Sequence, residues 1–148
     1  MRWEDVLLEI RRKFPAVPQL SVEALAAWLS DPTRPQPALR DVRAEEEFAV
    51  SHLWGARLAS LKDVSRARLG VSQGTPLILY CSVGYRSSQL AAALLAQGEA
   101  DVWNLEGSIF AWANQGRPVF CGEASVMGVH PFDKKWGTLL HPERWAWG

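Results

Sequence analysis

Cys81 and Cys121 are the two cysteines of this chain, and Cys81 has the surroundings that nucleophilic chemistry needs. The run Leu77-Ile78-Leu79-Tyr80 before it is continuously apolar, as a parallel strand covered on both faces should be. The stretch Cys81-Ser82-Val83-Gly84-Tyr85-Arg86 reads as a polar loop, and an Ala/Leu helix follows from Ser88 to Gln97, ending at Gly98. Cys81 is thereby predicted at the carboxyl edge of an open α/β sheet, where ligands bind. The loop amides and the helix N-terminus would converge on one point, a nest that favours a thiolate or a bound anion. Gly84 lets the loop curl tightly, and Arg86 adds a fixed charge with a forked donor. A lone cysteine after a core strand is also a common small hydrophobe. Gly84, Arg86 and the helix start tip the reading toward catalysis, because a packing cysteine requires none of them.

The elements that must hold this loop can be read on both sides of it. Residues 3–13 form an amphipathic helix with Trp3, Val6, Leu7 and Ile10 on one side, stopped by Pro15 and Pro18. Ser21 reads as the N-cap of a helix from Val22 to Leu29. Ala38 to Val42 is a strand, Glu45 to Val50 a helix, and Gly55 to Leu58 a short strand. Leu61 to Leu69 is helical, closed by Gly70. Asp101 to Asn104 is a strand and Ile109 to Asn114 a helix. This alternation predicts an α/β fold: an open, mainly parallel sheet of about five strands with helices on both faces. From Cys121 onward, Trp136, Trp145 and Trp147 stand among prolines and glycines with little periodicity. They are expected to wrap back onto the domain in a structural role, the other option being contact with a partner.

Composition narrows the function. The 148 residues suit one domain, 48% of them are apolar, and the formal net charge is zero. Such a balance gives no sign of a nucleic-acid or membrane-surface binder, both of which need a basic excess. No apolar run approaches the roughly 20 residues of a membrane span, and acidic residues interrupt the N-terminus too early for a secretory signal. A cytoplasmic location is the simplest expectation. Two cysteines make neither a disulfide scaffold nor a zinc site, so no metal is expected.

The segment Cys81-Ser82-Val83-Gly84-Tyr85-Arg86-Ser87 resembles the active-site loop of rhodanese-domain sulfurtransferases. Leu39-Arg40-Asp41-Val42-Arg43 looks like that family's strand ending in Asp-x-Arg. Glu47-Phe48 and His52-Leu53-Trp54-Gly55-Ala56 look like its next segment, and Leu105-Glu106-Gly107-Ser108-Ile109-Phe110-Ala111-Trp112 like its late motif. The four pieces fall in the family's order over residues 20 to 120. The resemblance implies a rhodanese domain with a short N-terminal helix within 1–18 and a Trp-rich tail over 121–148. Ser51 and Ser108 stand where the family usually has glycine, which predicts local backbone differences. The loop carries no lysine and one arginine, fewer charges than members favouring thiosulfate.

By this resemblance, the Cys81 thiolate takes a sulfane sulfur from thiosulfate or a similar small donor and passes it to a thiol or cyanide acceptor. The amides from Ser82 to Ser87 would hold the persulfide, and no cofactor is required. Arg86 would orient the anion or brace the loop, with the first role slightly favoured. Asp41 and Arg43 are expected to be stabilising, Asp41 by capping a turn and Arg43 by pairing with Glu47 or another acid. Cys121 is expected to pack. Two rivals remain. A persulfide carrier or docking module would receive sulfur from a partner protein. A cysteine phosphatase or arsenate reductase would need five residues between cysteine and arginine, whereas four separate Cys81 from Arg86.

Overall fold

The computed structural model describes residues 1–148. Five parallel strands form one sheet: β1 (Gln19–Leu20), β2 (Ala38–Asp41), β3 (Arg57–Leu58), β4 (Leu77–Tyr80) and β5 (Val102–Leu105), in the order β1-β5-β4-β2-β3. The helices are α1 (Trp3–Lys13), α2 (Val22–Leu29), α3 (Glu45–Val50), α4 (Arg66–Leu69), α5 (Tyr85–Ala96) and α6 (Ser108–Asn114). β4 is central, and its side chains alternate between two apolar clusters, as strand geometry requires. Ile78 and Tyr80 pack with Ile10, Leu25 and Phe110 from α1, α2 and α6. Leu77, Leu79 and then Cys81 pack with Leu69, Leu90 and Leu94 from α4 and α5. The sheet is thus covered on both faces, and Cys81 continues the alternation one residue past its central strand.

Most predicted elements are present, with four differences. The helix expected from Leu61 is only Arg66–Leu69. Ahead of it, Ser60 N–H bonds the Asp63 carboxylate, Lys62 N–H bonds the Ser60 hydroxyl, and Ser65 caps Arg68 N–H. These local side-chain bonds compete with helix formation. The strand expected over residues 55–58 is confined to Arg57–Leu58, with Gly55 turned to φ +77. The helix after the cysteine begins at Tyr85, three residues early, because Gly84 at φ +117 turns the chain directly into it. Finally, the Pro18-flanked β1 and a two-stranded hairpin, β6 (Val119–Cys121) with β7 (Ala124–Val126), were not legible in the hydrophobic pattern.

The tail wraps back as expected. Val119, Val129, Leu139 and Leu140 are buried in the cluster that holds α1, α2 and α6, with Trp136 and Trp145 against it. The Trp145 indole donates to the Gly137 and Leu140 carbonyls, and the Trp3 indole donates to Leu139. Trp147 is half exposed. Cys121 lies exposed on the hairpin instead of packing, because β6 ends there at a solvent-facing turn. No helix is long and apolar enough to cross a membrane.

Candidate active site

Cys81 is buried at the end of β4, and its neighbours converge on the sulfur. Gly84 N–H donates to Sγ at 3.2 Å, and the Ser87 hydroxyl lies 3.3 Å from Sγ. Gly84 is required twice over. Its φ of +117 belongs to glycine, and a Cβ there would sit 3.0 Å from Asn104 Nδ2. Because α5 starts at Tyr85, Arg86 and Ser87 stand in its first turn, where amides lack intrahelical partners and the helix dipole favours negative charge.

Ser87 has one hydroxyl proton and two acceptors in reach, Sγ and the Asn104 side-chain oxygen Oδ1. Asn104, fully buried on β5, donates to Gln19 Oε1 at 2.7 Å. A polar line therefore runs from the sulfur across β5 to β1. Ser108 holds the other side: its hydroxyl accepts Cys81 N–H at 3.1 Å and donates to the Leu105 carbonyl. Ser108 does so at φ +50, a conformation that glycine would adopt without strain and that a serine holds at a cost. Ser51, in contrast, is extended at φ −169 and donates to the Gly128 carbonyl of the tail.

Two ion pairs frame the loop. Arg86 meets Glu47 with both terminal guanidinium nitrogens, at 2.9 and 3.0 Å, and donates to the Ser82 hydroxyl at 2.9 Å. Nη1 and Nη2 of Arg86 are thereby engaged by acceptors on α3 and on the loop itself. Arg43 pairs with Asp41 rather than with Glu47, at 2.7 Å with both side chains fully buried. Asp41 also accepts Arg43 N–H, capping the turn after β2, and Arg43 reaches the Ser51 carbonyl. Burial acts to raise the Glu47 pKa, yet the bonds and charge of Arg86, then the charge of Arg43, leave it below the usual carboxylate range. Burial likewise opposes the Arg86 charge, and Glu47 and the Cys81 sulfur raise its pKa nonetheless.

Glu47 makes a prediction with a definite sign. Its pKa is depressed on folding, so its contribution to stability is present above the unfolded value of about 4.3 and lost as pH falls through the folded value. Glu47→Gln should therefore flatten the acid limb of the stability profile below about pH 4.3, measured by urea unfolding at stepped pH. An acid limb identical to wild type would count against this pairing.

Cys81, Ser82, Val83, Tyr85 and Arg86 all line one pocket of about 200 Å³, closed by Phe132 and Trp136 from the tail. Gly84, Ser87, Asp41 and Arg43 do not line it. Sequence reasoning missed the roles of Glu47, Asn104, Ser108, Phe132 and Trp136. Of these, Glu47 and Ser108 lay in recognised motifs, whereas Asn104 and the tail aromatics carried no local signal.

The parallel sheet, the cysteine at its carboxyl edge and the short amide-lined loop define an α/β protein built around one held thiol. The chain belongs to the Rhodanese-like domain family, which matches residues 21–115. It is 30% identical over 107 residues to a sulfurtransferase of Allochromatium vinosum, covering 72% of this chain and 98% of that one. It is 37% identical over 83 residues to the probable adenylyltransferase/sulfurtransferase MoeZ of Mycobacterium tuberculosis, covering 55% of this chain. The match spans 21% of that relative's length. Among solved structures, a rhodanese-like domain from Anabaena superposes with a TM-score of 0.62 at 23% identity, covering 78% of this chain and 89% of that one. Relatives that carry the name sulfurtransferase are thus among the proteins this chain is similar to.

Proposed function

We propose that the protein moves sulfane sulfur through a persulfide on Cys81. The thiolate attacks the outer sulfur of a donor of the thiosulfate type. The bond between the outer and inner sulfur breaks, and sulfite departs with the electron pair. A thiol or cyanide acceptor then attacks the terminal persulfide sulfur, and Cys81 leaves as thiolate. The observation that carries this reading is the placement of Sγ between Gly84 N–H and the Ser87 hydroxyl, inside an open pocket. The Gly84 N–H, joined by the Ser87 proton when it turns from Asn104 to sulfur, suits an anion in the thiolate and the persulfide alike. The loop amides and Ser82, Val83 and Tyr85 form the substrate rim, Arg86 with Glu47 keeps the loop in shape, and Asp41 with Arg43 stabilises the fold beneath it. The protein cysteine is itself the carrier, so the reaction needs no metal or organic cofactor. A cytoplasmic setting keeps such a thiol reduced. The relative named adenylyltransferase/sulfurtransferase favours, as a second source or sink, a protein sulfur partner.

Steady-state kinetics with varied donor and acceptor test the reading. A covalent sulfur intermediate gives ping-pong behaviour, seen as parallel double-reciprocal lines. Intersecting lines would mean that donor and acceptor meet directly, without a persulfide.

A further inference from the structure

We propose that the tail segment 130–136 makes this site selective for sulfane donors with an apolar organic body over inorganic thiosulfate; the inference rests on the Cys81 persulfide reading. Phe132 and Trp136 complete the pocket over Cys81, although both lie beyond residues 21–115 that match the family.

The segment is built to stay in place. Phe132 has φ +70, a strained value for a side-chain-bearing residue. His130 Nδ1 accepts Phe132 N–H at 3.0 Å, and Asp133 Oδ1 accepts Trp136 N–H at 2.7 Å. Gly137 is pinched so closely that a Cβ would lie 2.8 Å from the Trp145 ring and 2.9 Å from Pro131. Strain held by so many contacts marks a fixed wall rather than a loose flap. Phe132 nonetheless remains 42% exposed, a large apolar ring left with room for a ligand against it.

The charges at the pocket point the same way. Arg86 is the one cation among the lining residues, and its charge is matched by Glu47 through both terminal nitrogens. The Phe132 ring lies 4.9 Å from the Arg86 guanidinium carbon, a further contact that engages this charge. Lys13 and Lys135 rest near the Tyr85 and Trp136 rings, at 5.2 and 6.0 Å, and neither lines the pocket. Within the pocket lining a thiosulfate dianion would meet no uncommitted positive side chain, Lys13 and Lys135 standing outside it. An organic thiosulfonate carries one negative charge fewer and offers a body that Tyr85, Phe132 and Trp136 can cover. The step balances: the Cys81 thiolate bonds the sulfane sulfur, the sulfur–sulfur bond of the thiosulfonate breaks, and the sulfinate leaves with the electron pair. One persulfide anion and one sulfinate anion replace one thiolate and one thiosulfonate.

The test measures second-order rates of persulfide formation with benzenethiosulfonate, methanethiosulfonate and thiosulfate, read by stopped intact-mass time courses. The two thiosulfonates share a reacting group and differ in apolar body. Wild type should load from benzenethiosulfonate at least about tenfold faster than from methanethiosulfonate, and faster still than from thiosulfate, since ring burial contributes on that scale. Phe132→Ala, at a half-exposed position, should reduce the benzene-to-methane ratio several-fold, with Trp136→Leu as a second probe of the same wall. Equal rates for the two thiosulfonates, a preference for thiosulfate, or an unchanged ratio in both variants would overturn the selectivity. Failure of every donor to load Cys81 would instead overturn the persulfide reading on which it rests.

Discussion

Cys81→Ser is expected to abolish sulfur transfer while leaving the fold intact. The substitution keeps a polar atom in reach of Gly84 N–H and the Ser87 hydroxyl, so the loop retains its partners. What disappears is the polarisable thiolate and the means to carry a sulfur–sulfur bond. Removing the nucleophile of a covalent enzyme costs on the order of 10⁴-fold or more in turnover. Donor-to-acceptor turnover should fall to background, with an unchanged circular dichroism spectrum. Retention of a tenth of wild-type activity would show that another group does the chemistry, and exposed Cys121 would be the first to test.

Asp41→Asn should produce the largest loss of stability. The carboxylate is fully buried and is met by Arg43 through Nε, Nη2 and the backbone N–H. Burial opposes the Arg43 charge, and Asp41, by its charge and its hydrogen bonds, raises the Arg43 pKa despite it. Removing the acid leaves a buried guanidinium without its hydrogen-bonded counter-charge, which costs about 3–5 kcal/mol. Against a total of about 5–15 kcal/mol that is a large fraction, and the urea midpoint should drop by more than about 1 M. The joint replacement of Asp41 by Asn and Arg43 by Met should recover part of the loss, because it removes both charges. A single-mutant midpoint equal to wild type would contradict the pairing. The damage should reach the active site, since Asp41 is paired in register with Tyr80, the residue before Cys81.

What could be read in advance followed from the range of the interactions. Leu77–Tyr80 and the glycine after Val83 are local signals, so the strand, the loop and Cys81 at the sheet edge were legible from a dozen consecutive residues. The alternation of elements likewise predicted the parallel sheet. The helix start at Tyr85 was missed because one positive φ, at Gly84, decides it. Arg86 looked free to bind an anion, since its partner Glu47 stands 39 positions away. Phe132 and Trp136 were beyond local reading altogether. They reach the pocket only because Leu139, Leu140 and Trp145 anchor the tail onto a face formed by α1, α2 and α6. Motif reasoning thus reached the thiol at the sheet edge, and tertiary packing supplied the walls around it.

The most direct test of the central claim is mass spectrometry of the protein after brief exposure to a sulfane donor and removal of the excess. The chain should gain the mass of one sulfur atom, peptide mapping should place it on Cys81, and addition of a thiol should remove it. No gain in mass, or a gain mapped to Cys121 and persisting in Cys81→Ser, would contradict the account.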